Sequence, residues 1–203
     1  IDPPTRLFFY PYLQVSQDYV KGISPQNSYS AGMDLKYGIN NSFTLDATLI
    51  PDFGQVTFDD RELNLTPFEQ EFDENRQFFT EGATLFEKAD GIGYRSGKFF
   101  YSRRIGQEIS FNENDYILNN EELINYDKKP NLINSVKLTG TTDKKLSIGF
   151  LNAITAKAHA YFKDKNTGNE RKVVISPLTN YNIISLSQQL FNDFSSISFL
   201  NTS

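Results

Sequence analysis

Over residues 29–39 apolar and polar positions alternate without a break. Tyr29, Ala31, Met33, Leu35, Tyr37 and Ile39 share one parity; Ser30, Gly32, Asp34, Lys36 and Gly38 share the other. Successive side chains of a strand point to opposite faces, so this period of two predicts a strand with one apolar and one polar face. Asn40, Asn41 and Ser42 supply turn chemistry, because Asn tolerates positive φ. The return run sets Phe43, Leu45, Ala47 and Leu49 against Thr44, Asp46 and Thr48, which completes a hairpin. An Asp and a Lys on the polar face demand water or partners there.

A second hairpin is predicted over residues 136–158. Val136, Leu138 and Gly140 alternate with Lys137 and Thr139, and residues 141–145 form a polar turn. The return strand carries Leu146, Ile148, Phe150, Ile154, Ala156 and Ala158 on even positions, with Ser147, Gly149, Thr155, Lys157 and His159 opposite. Residues 7–15, 173–175, 181–190 and 195–200 are further strand candidates, Pro11 marking an edge or a bulge. Two stretches break the rhythm. Residues 51–104 are too long for a turn and interleave Glu69, Glu71, Asp73, Glu74, Glu81 and Glu87 with Phe68, Phe72, Phe78, Phe79 and Phe86. Residues 107–134 are rich in Asn, Glu and Asp and read as an exposed polar loop. Helical spacing is faint, predicting one short helix over 67–72 with Thr66 as N-cap.

Composition narrows the chemistry. Cysteine is absent, which removes disulfides, thiolate metal sites and Cys nucleophiles, and the single histidine removes a multi-His metal cage. No cofactor or metal is expected. The net charge of −5 argues against nucleic acid, since phosphate binding needs a clustered basic surface. No run of eighteen apolar residues exists, so a transmembrane helix is excluded, whereas a transmembrane strand hides its apolar residues by alternation. Phe 18 and Tyr 11 against Trp 0 form an aromatic set that β-structure accommodates. The opening Ile-Asp-Pro-Pro, without initiator Met or signal peptide, reads as a processed product or a piece of a longer protein.

Alternation suits both a soluble sandwich and the wall of a membrane barrel. Runs of about ten residues are long for a soluble strand and near the length that crosses a tilted bilayer. Tyr29, Tyr37, Phe43, Tyr161 and Phe162 stand at strand ends, as an interfacial girdle requires.

Several longer motifs carry a resemblance. Residues 31–39 (Ala-Gly-Met-Asp-Leu-Lys-Tyr-Gly-Ile) lead through 44–56, including Pro51-Asp52-Phe53-Gly54-Gln55-Val56. Asn64-Leu65-Thr66-Pro67-Phe68-Glu69, Arg76-Gln77-Phe78-Phe79-Thr80-Glu81-Gly82 and Phe100-Tyr101-Ser102-Arg103-Arg104-Ile105-Gly106 follow in order. This series resembles the domain of unknown function 5916, the C-terminal domain of large Gram-negative outer-membrane proteins that often carry an N-terminal family 9 carbohydrate-binding module. Lys137-Leu138-Thr139-Gly140, Leu146-Ser147-Ile148-Gly149 and 177–182 resemble its later strands. The resemblance implies an all-β, antiparallel outer-membrane β-barrel of which this chain forms the N-terminal part. It implies no catalytic residue. The family's Pro-containing basic stretch is replaced here by Phe72-Asp73-Glu74-Asn75, and the carbohydrate-binding module has no counterpart in the chain.

The combined expectation is a single, incomplete barrel domain over 1–203, with residues 51–104 folded inward as a luminal plug. Its edges would be sealed by further strands of the same chain or by other envelope proteins, because unpaired backbone groups in lipid cost several kcal/mol each. The plug would be built from Phe68, Glu69, Phe72, Arg76, Phe78, Phe79 and Glu81. The inner wall would carry Asp34, Lys36, Asp46, Arg103 and Arg104, with Arg95 also pairing with plug acids. Transport, anchoring or envelope-complex assembly is the expected role, with outer-membrane lipid as the chief partner and no chemistry of its own. The alternative is a barrel-associated glycoside hydrolase or carbohydrate-binding protein using acidic residues of 51–82, with polysaccharide as its partner. A soluble all-β carbohydrate-binding module is the third reading. Asp52, Asp59 and Asp60, and Asn112, Glu113, Asn114 and Asp115, offer oxygen ligands but match no EF-hand loop, so solvated turns are the better reading. His159 reads as a lone pore-lining or periplasmic side chain.

Overall fold

The structure, a computed structural model, describes residues 6–18, 26–50, 72–87, 100–192 and 195–203. Ten strands run through them: β1 (Arg6–Asp18), β2 (Gln26–Gly38), β3 (Phe43–Leu49), β4 (Glu121–Tyr126), β5 (Leu132–Thr141), β6 (Leu146–Thr155), β7 (Ala158–Asp164), β8 (Glu170–Ser176), β9 (Thr179–Gln189) and β10 (Ser196–Thr202). They form a seven-stranded sheet in the order β1-β2-β3-β5-β6-β9-β10 and a three-stranded sheet in the order β4-β7-β8. Every described pairing is antiparallel, so the chain is all-β with two sheets.

Alternation becomes structure through register. One row crosses the large sheet as Tyr37, Leu45, Leu138, Phe150 and Ile184, and the next as Lys36, Asp46, Lys137, Leu151 and Ile183. The two rows face opposite ways. On the face of the first row every described residue is half-buried or exposed, and Leu13, Ile197 and Phe199 are 74%, 64% and 57% exposed. On the other face Asp46, Thr48, Ser135, Lys137, Ser147, Ser185 and Ser187 are buried. The covered face thus buries polar groups beside Leu132, Leu151, Ala153 and Ile183, whereas the more apolar face is left half-buried or exposed.

The ends of the large sheet differ. At one end the connections are short: β2–β3 through Ile39 to Ser42, β5–β6 through Thr142 to Lys145, and β9–β10 through Leu190 to Ser195. Asn40 Oδ1 accepts from the backbone N–H groups of Ser42 and Phe43 at 2.8 and 2.9 Å, so Asn closes the turn through its side-chain oxygen and not through the positive φ expected of it. At the other end β6 and β9 continue into the small sheet, and the long connection from β3 to β4 departs.

Three local features differ from the sequence reading. Residues 107–134, read as a loop, contain β4 and a 3₁₀ turn at Glu113–Asp115. The β4 sequence Glu-Glu-Leu-Ile-Asn-Tyr has no period of two, and pairing with β7 makes the strand. The return strand read through Ala158 breaks at Ala156 and Lys157, where it passes from one sheet to the other. Beyond the break Ala158, Ala160 and Phe162 are buried, so Phe162 is no girdle residue and Ala158 does not share the exposed face. The helix expected over 67–72 lies outside the described residues except for Phe72, which is not helical; a four-residue helix, α1, stands instead at Gln77–Thr80.

Candidate functional site

The inward polar face is covered by residues 72–87 and 100–109. Alternation of apolar positions is absent there, and short helical turns bring Phe79, Phe86 and Ile105 to the same side. They pack with Leu132, Leu151, Ala153 and Ile183 of the sheet as one buried cluster. Gly149 makes room for the ring of Phe86: a Cβ at that position would stand 3.0 Å from Phe86 Cε1. Arg76 ties the two parts of the covering segment together. Its Nε and Nη2 donate to the Glu74 carboxylate at 2.8 and 2.7 Å, and Nη1 and Nη2 donate to the Ile105 and Ser102 carbonyls, both at 2.8 Å. A guanidinium fork suits this planar, many-donor task, which a lysine cannot reproduce.

A charged cluster lies where the segment meets β2, β3 and β5. Lys137 is 1% exposed, and its Nζ donates to the carbonyls of Phe78 and Glu81, the latter at 2.7 Å. These carbonyls lie at the end of the single turn α1, where C=O groups have no intrahelical donor and can accept from a cation. Asp46 faces the same ammonium at 3.7 Å. Lys36 donates to Glu81 Oε2 at 2.6 Å and lies 4.0 Å from Asp46. Burial pushes the Glu81 carboxyl up, but the Lys36 hydrogen bond and its charge outweigh it and hold the group below its ordinary value. Burial likewise opposes ionisation of Glu74, and hydrogen bonds from Arg76 and Ser102 win, so this carboxyl also sits low.

Two cavities flank the segment. One, of ≈ 420 Å³, is bordered by Tyr10, Asp34, Lys36, Asp46, Glu81 and Lys137. The other, of ≈ 300 Å³, is bordered by Phe72, Glu74, Thr80, Phe86, Phe100 and Tyr101. Toward the short-turn end the polar face is a hydroxyl surface, with Thr141, Ser147, Ser187 and Ser198 in one row across four strands.

A family model, Domain of unknown function (DUF5916), matches residues 3–203. The chain belongs to the DUF5916 family. No curated protein and no solved structure matches it.

In this DUF5916 domain Phe72, Arg76, Phe78, Phe79 and Glu81 all lie on the covering segment, whereas Phe68 and Glu69 lie outside the described residues. Asp34, Lys36 and Asp46 stand on the inward face of β2 and β3. Arg103 and Arg104 are not on the wall. They occupy a 3₁₀ turn of the covering segment, because Tyr101 and Ile105 are drawn into its packing, and Arg103 donates to the Asp73 carbonyl at 2.5 Å. Glu81 therefore pairs with a lysine of β2, and Glu74 with the neighbouring Arg76, not with the arginines expected from the sequence. Arg95, Asp52, Asp59 and Asp60 lie outside the described residues. Asn112 spends its side-chain oxygen on the Asn114 backbone N–H as a helix cap. His159, on β7, sits 3.7 Å from Asp127.

Lys137, Ser102 and Ser185 were missed as site residues. Their parity or polarity was visible, but their partners are main-chain carbonyls and a carboxylate contributed by residues 28–100 positions away. Neither Glu74 nor Glu81 suits the proton-donating half of a glycosidase pair, which needs a raised carboxyl pKa.

Proposed function

We propose that this DUF5916 domain is a section of a transmembrane β-barrel wall in the outer membrane of a Gram-negative bacterium, with residues 72–87 and 100–109 folded into its lumen as a plug. The observation that carries the reading is the apolar face of the large sheet, on which Leu13, Met33, Leu45, Leu138, Phe150, Leu186 and Phe199 stand half-buried or exposed, while Lys137, Asp46 and several hydroxyls are buried on the covered face beside Leu151, Ala153 and Ile183. In water such a face would be costly, about 25 cal/mol for each Å² of apolar surface; hydrocarbon removes that cost. Three features support it. β6 and β9, of 10 and 11 residues, match the length of a tilted bilayer crossing. Tyr29 lies on the exposed face toward the long-connection end, and Tyr37 and Phe43 toward the short-turn end, as two girdles would. The short turns gather at one end, the pattern expected of a periplasmic rim, and in this reading the small sheet and the β7–β8 loop would lie on the outer side. The outer edges of β1 and β10, which pair with no other strand among the described residues, would then need partner strands, since lipid offers no hydrogen bonds. The role that follows is transport, anchoring or assembly in the envelope.

Tryptophan is absent, so one introduced indole reports from one place. Leu186→Trp and Leu138→Trp, on the exposed face, are expected to be quenched by lipids brominated on their acyl chains; Ser198→Trp, on the polar face, is not. Equal quenching at all three, or a detergent-free monodisperse protein, overturns the reading.

A further inference from the structure

We propose that Asn152, Asn180 and Asn182, on the outward face of β6 and β9, form a binding site for the phosphate of a membrane phospholipid. The inference rests on the barrel reading above and adds a ligand to its lipid-facing side.

The cluster interrupts an apolar face. Leu35, Ala47 and Val136 lead along one row to Asn152 and Asn182, and Ile154 pairs with Asn180 in the next row on that face. Asn152 Nδ2 donates to Asn180 Oδ1 at 2.6 Å, to Asn182 Oδ1 at 2.7 Å and to the Tyr181 carbonyl at 3.2 Å. The last contact orients all three amides. A main-chain carbonyl can only accept, so the Asn152 atom facing it is the nitrogen, and Asn180 and Asn182 must offer that nitrogen their oxygens. Their own NH2 groups are therefore turned away from Asn152 and meet no acceptor among the described residues. The two residues stand two positions apart on one strand, about 7 Å, close enough to share one phosphate.

Depth and charge name the ligand. An amide donor left unpaired in hydrocarbon is costly, so these groups need acceptors at their own level of the membrane. Strand residues rise about 3.3 Å each, of which a tilt of about 40° leaves about 2.5 Å across the bilayer. Leu190 is ten positions beyond Asn180, so the two differ in depth by about 25 Å, the height of a barrel's apolar band. Asn180 thus stands at one edge of the band, with Asn152 and Asn182 about 5 Å inside it, where lipid headgroups begin. Exposed Lys157, just beyond β6, adds a positive charge at this end, and phosphate is the lipid group that answers amide donors and a cation together. Toward the short turns the same face continues as Phe150, Ile184, Leu186 and Phe199, a track for an acyl chain that a free anion does not need.

Native mass spectrometry of the full-length protein tests the site, in octyl glucoside micelles holding equal amounts of dioleoylphosphatidylglycerol and monogalactosyldiacylglycerol, which lacks phosphate. The protein is expected to retain the phosphatidylglycerol. Asn180→Asp and Asn182→Asp keep the oxygen that accepts from Asn152 but replace the outward NH2 with oxygen. Each is expected to lower retention about tenfold, the worth of one charge-assisted hydrogen bond. If Asn182→Asp does not insert, Asn180→Asp decides, because that residue is exposed. Asn41→Asp, which adds the same charge in the β2–β3 turn, is expected to change nothing.

Unaltered retention in inserted Asn180→Asp protein, an equal loss in Asn41→Asp or equal retention of the galactolipid overturns the phosphate site. Displacement of the lipid by inorganic phosphate overturns the lipid as its ligand. Loss of acyl-chain bromine quenching overturns the wall reading instead, so the two failures are told apart.

Discussion

Thr48 and Thr155 carry the buried hydroxyls that meet no hydrogen-bond partner among the described residues, while Ser135, on the same inward face, donates to the Asn152 carbonyl at 2.8 Å. An unpaired buried hydroxyl bears a desolvation cost with nothing to offset it, so the three residues diverge on substitution. Thr48→Val is expected to be neutral or stabilising by up to about 1 kcal/mol, and Ser135→Ala to cost about 1 kcal/mol, in denaturant unfolding of the detergent-solubilised protein. The sequence displays all three as polar members of alternating strands. Which hydroxyl is answered depends on a carbonyl across the sheet, and pattern along one strand does not contain that information. Lys137 is the sharper instance: its polar parity is plain between Val136 and Leu138, but its burial under α1 is a property of a segment more than fifty residues upstream.

The covering segment behaves as one element through Arg76 and Glu74, which join residues 72–76 to 102–105. Because the folded Glu74 carboxyl sits below its ordinary value, its contribution is complete above about pH 4.3 and is lost as pH falls through the lower, folded value. Hydrogen-exchange protection of Arg76 to Phe86, corrected for intrinsic rates, is therefore expected to hold above about pH 4.3 and to drop as the pH falls below it. Glu74→Gln should show the reduced protection at every pH. Element by element, the period-two strands were readable because one face is predominantly apolar over β2, β3, β5 and β6, with Asn134 and Asn152 as interruptions. β4 and α1 were not, since cross-strand pairing and tertiary contact specify them, not local periodicity. The assignment of Arg103 and Arg104 to a wall failed for a related reason: basic charge suggested a counterpart to acids but could not say on which element it stood.

At the scale of the whole molecule the large sheet is a chain of neighbours with one exception. β1–β2, β2–β3, β5–β6 and β9–β10 are joined by their own connections, and β6 and β9 by the β7–β8 hairpin, whereas β3 pairs with β5 only after the chain has travelled from Leu49 to Leu132. Closing an excursion of that length carries an entropic penalty of about 4 kcal/mol, against a small one for each hairpin. The seam between β3 and β5 is consequently the last to zip. Refolding should proceed from two nuclei, one on either side of it, and a weakening change such as Leu45→Ala should hasten unfolding while leaving the refolding rate nearly untouched.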